Sequence, residues 1–235
     1  MPRHPGADDR VVATQRIVAG GGPAATAAVA IARLGVEARF IGVVDGELEG
    51  VDVVQMPGRM GESTVLVGDG GRTIVTEEAV SFVAPAEAFA DGDWVHVDHV
   101  GWQALGASNH AAVSVDGGNP IDDLDLARVA LYSPTAATDD GRRAKLTVVT
   151  RGAHGCTAYA DGETIDVPAH PVDVVSTLGA GDVFHGALLA SLVRGLELRD
   201  ALVHANACAA LSCRALDGRS AIPTWDELER SIDGG

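Results

Sequence analysis

The sequence predicts an α/β fold, with a central, mostly parallel β-sheet flanked by helices and a small β-hairpin beside it. Short apolar stretches typical of strands alternate with longer helical stretches, which is the pattern of parallel βαβ units. Residues 64–67 and 72–76 are β-rich and enclose a Gly-rich turn, so they predict an antiparallel hairpin. The 235 residues, 46% of them hydrophobic, predict a single domain over 1–235, with lid elements near 10–19 and 62–78.

The predicted elements begin with an Ala-rich helix from Ala24 to Leu34, which starts after Pro23 and ends at Gly35. Residues 40–44 are apolar without alternation, which predicts a short buried strand. Residues 11–18 alternate loosely, as a lid strand would. The remaining predicted strands cover residues 94–97, 112–115 and 146–150, and the remaining predicted helices cover 182–194, 198–214 and 225–232.

Charge and composition exclude several classes of protein. There are 17 basic and 33 acidic side chains, and the net charge of −16 argues against a nucleic-acid partner. No stretch approaches the roughly 20 apolar residues of a membrane span. Residues 1–10 lack the apolar region of a signal peptide, and three cysteines do not make a disulfide scaffold. We therefore expect a cytoplasmic enzyme.

Lys145 is the only lysine in the chain. A Walker P-loop needs a Gly-Lys-Ser/Thr step, and a Schiff-base enzyme needs a reactive lysine. Lys145 directly precedes the predicted strand at 146–150, so neither mechanism is expected.

The strongest local signal is a run of small residues, Gly179, Ala180 and Gly181, followed by Asp182 and an apolar helix. Backbone N–H groups that converge at such a helix N-terminus form an anion site without any lysine. Asp182 has two possible roles on spacing alone. It can cap the helix, or it can act as a base beside a bound phosphate.

Polar residues that follow the predicted strands are further candidates, because ligands bind beyond the carboxyl ends of strands in α/β sheets. Asp98 begins a predicted polar loop after the strand at 94–97 and is one candidate for a sugar contact. Asp116 and Asn119 fit either an ordinary turn or a sugar contact. His96, Asp98 and His99 could be metal ligands, but they lack a convincing further partner, so no metal site is predicted.

Four segments resemble the signatures of the ribokinase-like (pfkB) carbohydrate kinases, and they stand in the family's order. Gly-Ala-Gly-Asp-Val-Phe resembles the C-terminal signature, and the Gly-rich segment before the first helix resembles the N-terminal one. Thr-Arg-Gly-Ala-His-Gly is similar to the nucleotide-side T-x-G-x-x-G loop. The segments are residues 20–35, 150–155, 179–184 and 204–224.

The resemblance implies a ribokinase-like fold and an ATP-dependent sugar kinase that transfers the γ-phosphoryl group to a primary hydroxyl. Mg²⁺ would accompany ATP, often with a monovalent cation. Asp182 would be the base, and the backbone of Gly179, Ala180 and Gly181 would form the anion hole. Thr150, Gly152, Gly155 and Asn206 would contact the nucleotide, and Gly21, Gly22, Thr26, Arg10 and Asp98 would contact the acceptor.

The sequence also departs from the family pattern. The family's first core strand, with its sugar-binding aspartate, would precede Met1, and Thr26 replaces a sugar-facing Asn. The N-x-x-E motif has no clear counterpart at 132–136, and residues 176–178 replace an Asp-Thr-Thr sequence associated with the monovalent cation. Two alternatives therefore stay open, a catalytically weak ligand-binding relative and a nucleoside kinase.

The glycine-rich start and the ending at residues 218–223 look closest to the sulfofructose kinase branch of the family, in which the acceptor is sulfonated. Arg10 could meet such an anionic substituent. A homodimer through the lid is a further expectation, since hairpins leave unpaired edges.

Overall fold

The structure is a computed structural model that describes residues 4–68, 71–77, 82–85, 94–106 and 112–234. The α-helices within these ranges are α1 (Pro23–Arg33), α2 (His99–Leu105), α3 (Ala180–Val193), α4 (Leu198–Ser212) and α5 (Trp225–Asp233). The strands are β1 (Arg39–Gly42), β2 (Asp52–Gln55), β3 (Ser63–Gly68), β4 (Gly71–Thr76), β5 (Trp94–Val97), β6 (Ala112–Gly117), β7 (Leu131–Pro134), β8 (Leu146–Thr150), β9 (Cys156–Ala160) and β10 (Glu163–Val167).

The main sheet has six strands in the order β10-β9-β8-β7-β6-β5. Strands β5 to β8 are parallel, and β9 and β10 add an antiparallel edge. The predicted mostly parallel sheet with flanking helices is confirmed. The β9–β10 hairpin was not predicted, although its two-residue Asp161-Gly162 turn, with φ of 51° and 81°, is a strong hairpin signal.

Helix α3 is the centre of the core. Residues 183–191 are all buried, because the helix packs against α1 on one side and α4 on another. Gly186 allows the close approach of α1, since a Cβ atom there would collide with the carbonyl oxygen of Ala27. The N-terminus of α3, where Asp182 lies, is therefore held by a rigid, well-packed element.

The two faces of the main sheet differ in polarity at β6. Val113 and Val115 pack into an apolar cluster with Trp102 of α2. Ser114 and Asp116 alternate with these valines and point to the opposite face, where α3 lies. Both are buried, so β6 carries polar side chains into the interior.

Two small sheets lie apart from the main one. Strands β3 and β4 form the predicted hairpin, whose turn residues Asp69 and Gly70 lie outside the described ranges. Strands β1 and β2 form a parallel pair. The prediction of a buried strand at residues 40–44 was wrong in burial, because among the described residues β1 pairs only with β2 and stays half-exposed.

Two other expectations fail. Residues 11–18 form no strand, and Val12 and Val18 are largely exposed, because in the described residues no sheet edge pairs with this segment. The residues after β5 form helix α2 rather than the predicted loop, because Asp98 caps that helix. None of the described helices is long and apolar enough to cross a membrane.

Candidate active site

The candidate site lies at the N-terminus of α3, beside the carboxyl ends of β5 and β6. Two contacts bring distant segments together there. The carboxylate of Asp98 accepts a hydrogen bond from the N–H of Ala24 in α1, at 3.4 Å, and Asp116 approaches His185 of α3. This is the edge of an open α/β sheet at which ligands usually bind.

A glycine starts α3 because its backbone conformation and surroundings require one. Gly179 is the N-cap residue with φ of 74°, and a Cβ atom there would lie 2.9 Å from the Cα of Gly218. The N–H of Ala180 makes only a long 3.3 Å bond to the carbonyl oxygen of Thr177, and a Cβ at Gly181 would meet nothing within 4 Å. The turn thus lies at the positive end of a helix, with open space beside Gly181.

Asp182 lies in the first turn of α3 and is half-buried. Burial, followed by repulsion from Asp116, raises the pKa of Asp182 to about 7, and His185 and Arg72 oppose this rise. A carboxylate with a pKa near neutrality suits a general base, because it can accept a proton and is still ionised in a useful fraction of molecules.

Asp116 and His185 form a buried pair that the sequence did not predict. Asp116 Oδ2 lies 3.3 Å from His185 Nδ1, and the N–H of Gly118 donates to Asp116 Oδ1 at 2.7 Å. Burial favours the neutral forms, but each partner stabilises the other's charge. The pKa of Asp116 is therefore lowered, and that of His185 is raised. The sequence did indicate that His185 lies near Asp182, because the two residues are three apart in a predicted helix and so lie on the same side of it.

The predicted acceptor residues Gly21, Gly22 and Thr26 lie around Arg219. Gly22 is the N-cap of α1 with φ of 89°, and Gly21 is exposed with open space around it. Thr26 is buried, with its Oγ1 accepting a hydrogen bond from Arg219 Nε, so its hydroxyl is covered rather than open to a ligand. Arg219 was not predicted from the sequence.

The other two predicted acceptor residues are Asp98 and Arg10. Asp98 caps α2, accepting from the N–H of Gly101 at 2.7 Å, so its carboxylate already has backbone partners. Arg10 is exposed in a segment without regular secondary structure. The structure instead brings Arg72 of the hairpin to the site, where its Nη1 donates to the carbonyl oxygen and Oγ1 of Thr177 at 2.8 and 2.9 Å.

The predicted nucleotide residues meet where β8, β10 and α4 converge. Thr150 ends β8, and Gly152 and Gly155 have φ of 55° and 80° in the following turn. A Cβ at Gly155 would collide with the carbonyl oxygen of Val167. Asn206 of α4 is buried, and its Nδ2 lies 3.4 Å and 3.2 Å from the carbonyl oxygens of Val167 and Pro168. Asn206 thus positions this turn rather than offering its amide N–H groups to a ligand.

The described residues contain no group of three or more His, Cys, Asp or Glu side chains that could hold a metal ion. Mg²⁺ usually keeps several waters and binds through substrate phosphates and one or two carboxylates. The described residues do not form a protein cage for Mg²⁺, and no catalytic step below is derived through the metal.

The fold is a ribokinase-like α/β fold, and a carboxylate, that of Asp182, lies in the first turn of α3. Residues 133–225 match the family described as "pfkB family carbohydrate kinase". This match covers 93 of the 235 residues of the chain.

The chain is also similar to individual kinases. The chain is 41% identical to a 2-dehydro-3-deoxygalactonokinase of Haloferax volcanii over 88 residues, which are 37% of this chain but only 27% of that protein. It is 28% identical to an ATP-dependent ribose-1-phosphate kinase of Halopiger xanaduensis over 97% of this chain and 91% of the relative. An E. coli protein assigned as ribokinase II, solved with ATP and Mg²⁺, superimposes with a TM-score of 0.71 at 19% identity, covering 98% of this chain and 95% of that one.

Proposed function

We propose that the protein is an ATP-dependent sugar kinase that transfers the γ-phosphoryl group of ATP to a primary hydroxyl. The observation that carries the proposal is the placement of Asp182, a half-buried carboxylate with a pKa near 7, directly after the Gly179–Gly181 turn at the N-terminus of α3. Phosphoryl transfer needs a group that accepts the hydroxyl proton and donors that stabilise the charge of the transferred group. This turn supplies both within four residues.

The proposed step uses the ionised form of Asp182. The carboxylate accepts the proton of the acceptor hydroxyl while the acceptor oxygen forms a bond to the γ-phosphorus. The bond from that phosphorus to the bridging oxygen breaks, and ADP leaves with the electron pair. Backbone N–H groups of residues 179–182, at the positive end of α3, stabilise the negative charge on the transferred group.

ATP is the proposed donor because a relative that aligns over 97% of this chain is ATP-dependent. Its site is the turn at Thr150, Gly152 and Gly155, which Asn206 positions. Mg²⁺ is proposed to arrive with the nucleotide, as in the superimposed structure with ATP and Mg²⁺. A monovalent cation belongs to the same proposal, and so does a cytoplasmic location where ATP is abundant.

The acceptor is proposed to be a small sugar or sugar derivative that lies between Gly21, Gly22 and Asp182. Arg219 and Arg72 contribute positive charge on this side, so sugars with an anionic substituent are included beside neutral ones. Exposed Ile74 and Val75 on the hairpin support a proposed homodimer through the lid, which sedimentation of the purified protein tests.

An ADP-release assay across ketoses, aldoses, nucleosides and phosphorylated or sulfonated sugars tests the proposal, with Asp182→Asn as the matched control. We expect release with one class of sugar and its loss in the variant. Release with nucleosides alone would assign the protein as a nucleoside kinase. ATP binding without release for any acceptor would indicate a ligand-binding relative.

A further inference from the structure

A buried polar cluster lies between the main sheet and the N-terminal turns of α3. We use this name for His96, Ser114, Asp116, Ser133 and His185. Strand pairing sets His96 of β5 opposite Ser114 of β6, and Asp116 of β6 opposite Ser133 of β7. These positions share the sheet face that α3 covers, because the residues between them pack on the other face.

The cluster is polar where a covered sheet face is normally apolar. Ser114, Asp116, Ser133 and His185 are each at most 6% exposed. His96 Nδ1 lies 3.0 Å from Ser114 Oγ, but His96 Nε2, Ser133 Oγ and both ring nitrogens of His185 have no hydrogen-bond partner among the described residues. Incompletely satisfied polar groups destabilise a fold, so a cluster of them beside a candidate site calls for a functional explanation.

The contact at the centre of the cluster is between Asp116 and His185. The 3.3 Å separation of Oδ2 and Nδ1 is within ion-pair distance. His185 follows Asp182 by three residues on α3, so the pair lies directly behind the candidate base. The rings of His96 and His185 are 5.8 Å apart, and burial followed by the charge of His185 lowers the pKa of His96 to about 4, which leaves His96 neutral.

We propose that His185 and Asp116 are a positioning pair for Asp182, a buried ion pair that anchors the first turns of α3 to β6 and offsets the negative charge that Asp116 would otherwise impose on Asp182. The proposal rests on the proposed function, in which Asp182 is the base. Neither member of the pair touches the reacting atoms.

The charges around Asp182 allow the effect of the pair to be predicted. Asp116 disfavours ionisation of Asp182, and protonated His185 favours it. Two charged groups on neighbouring elements also affect the pKa of Asp182. Asp98, which follows β5, raises it as Asp116 does, and Arg72 of β4 lowers it as His185 does. Arg219 also interacts with Asp182, and α1 places Ala27 and Ala30 against Gly186, which follows His185.

The test compares His185→Gln, the double variant Asp116→Asn/His185→Gln and the unmodified protein. Removing His185 alone leaves the charge of Asp116 uncompensated, so the acid limb of the kcat/KM profile against pH moves upward by about one unit. The double variant removes both charges, so its acid limb returns toward that of the unmodified protein. Ser191→Ala, a buried change on the same helix far from Asp182, controls for altered packing and leaves the limb in place.

A second readout does not depend on activity. Aspartate labelled with ¹³C at Cγ lets the carboxyl of Asp182 be titrated by NMR, with its signal assigned by its loss in Asp182→Asn. We expect the same order of midpoints as in the kinetic profiles. If no acceptor is phosphorylated, the proposed function fails, but the titration still tests the pair. An unchanged Asp182 midpoint in a folded His185→Gln variant, or equal shifts in the single and double variants, would overturn the proposal.

Discussion

Arg219 contacts helix α1 and the glycine-rich loop before it through two hydrogen bonds. Its Nε donates to Thr26 Oγ1 at 3.1 Å, and its Nη2 donates to the carbonyl oxygen of Gly21 at 2.5 Å. The backbone of Arg219 is itself held, because its N–H donates to Asp217 Oδ1 at 2.7 Å. The guanidinium therefore fixes the glycine-rich loop before α1 relative to the loop that packs on Gly179.

Replacement of Arg219 by Lys is expected to weaken acceptor binding, because a lysine ammonium cannot reproduce the planar two-point contact. Loss of one or two such hydrogen bonds corresponds to a rise in the acceptor KM of about 5–30-fold. The KM for ATP is expected to stay unchanged, since the proposed ATP site lies at Thr150 and Gly152. Thr26→Val, which removes one of the two bonds, provides the matched variant with a smaller rise. An unchanged acceptor KM in Arg219→Lys would show that this contact does not shape the acceptor site.

Gly179→Ala is expected to lower both stability and turnover. A residue with a side chain at φ of 74° is strained by about 1–2 kcal/mol, and its Cβ would press against Gly218 at 2.9 Å. The expected fall in Tm is roughly 2–8 °C, measured by differential scanning fluorimetry. Gly181→Ala is the control, because its Cβ meets open space and the helix backbone favours alanine. Equal Tm values for the two variants would contradict the assigned role of Gly179.

Asp182→Asn is expected to stabilise the protein above neutral pH while it removes activity. The pKa of Asp182 is about 7 in the folded state and near 3.8 when unfolded, so the folded state binds more protons between these values. The ionised carboxylate therefore costs stability that grows as pH rises to about 7. Because Asp182 is half-exposed, we expect a gain of only about 1 kcal/mol, or roughly 2–4 °C in Tm, at pH 8.

The gain in Tm from Asp182→Asn should be smaller at pH 5 than at pH 8, because at pH 5 less of the Asp182 carboxyl is ionised in the folded protein. Asp217→Asn should lower Tm at pH 8, the opposite of the effect expected for Asp182→Asn. The Asp217 carboxylate accepts bonds from the N–H groups of Arg219 and Ser220 and has a lowered pKa, so its loss should destabilise the protein at pH 8. A lower Tm for Asp182→Asn at pH 8 would mean that the ionised carboxylate is stabilising in the fold.

Arg72→Met tests whether the hairpin contributes to the site. Arg72 connects β4 to Thr177 beside α3, so its loss should free the hairpin and raise the acceptor KM by about tenfold. Because the side chain is exposed, Tm should change by less than about 1 °C. Arg59→Met breaks the exposed ion pair with Glu77 near the same hairpin and should leave the kinetics unchanged. Identical kinetics for the two variants would exclude a role for Arg72.

The sequence predicted the segments whose signals are local. The Gly179–Gly181 turn, the helix after it and the β3–β4 hairpin depend on glycine placement and apolar periodicity, and each lies where it was predicted. The loop predicted after β5 was wrong, because a polar residue after a strand fits a loop and a helix N-cap equally well, and only the bond from the N–H of Gly101 to Asp98 decides between them. Residues 11–18 alternate, but in the described residues they have no sheet edge to pair with.

The contacts that the sequence did not predict join distant segments of the chain. Ser114 and Asp116 alternate with valines, a pattern that usually indicates a sheet face in water, yet α3 covers that face. Arg219 reaches Thr26 only because the chain end folds back onto α1. Such pairings follow from the packing of α3 between α1, α4 and the sheet, and no single stretch of sequence carries a signal for them.

The central claim is that Asp182 is the base in phosphoryl transfer to a sugar hydroxyl. ³¹P NMR of the reaction with ATP and the best acceptor, at pH 8 with unmodified protein and Asp182→Asn, tests it most directly. The account predicts a sugar phosphate monoester from the unmodified protein, and at least about 100-fold slower formation by the variant with ATP affinity retained. Formation of the ester by Asp182→Asn at the unmodified rate would contradict it.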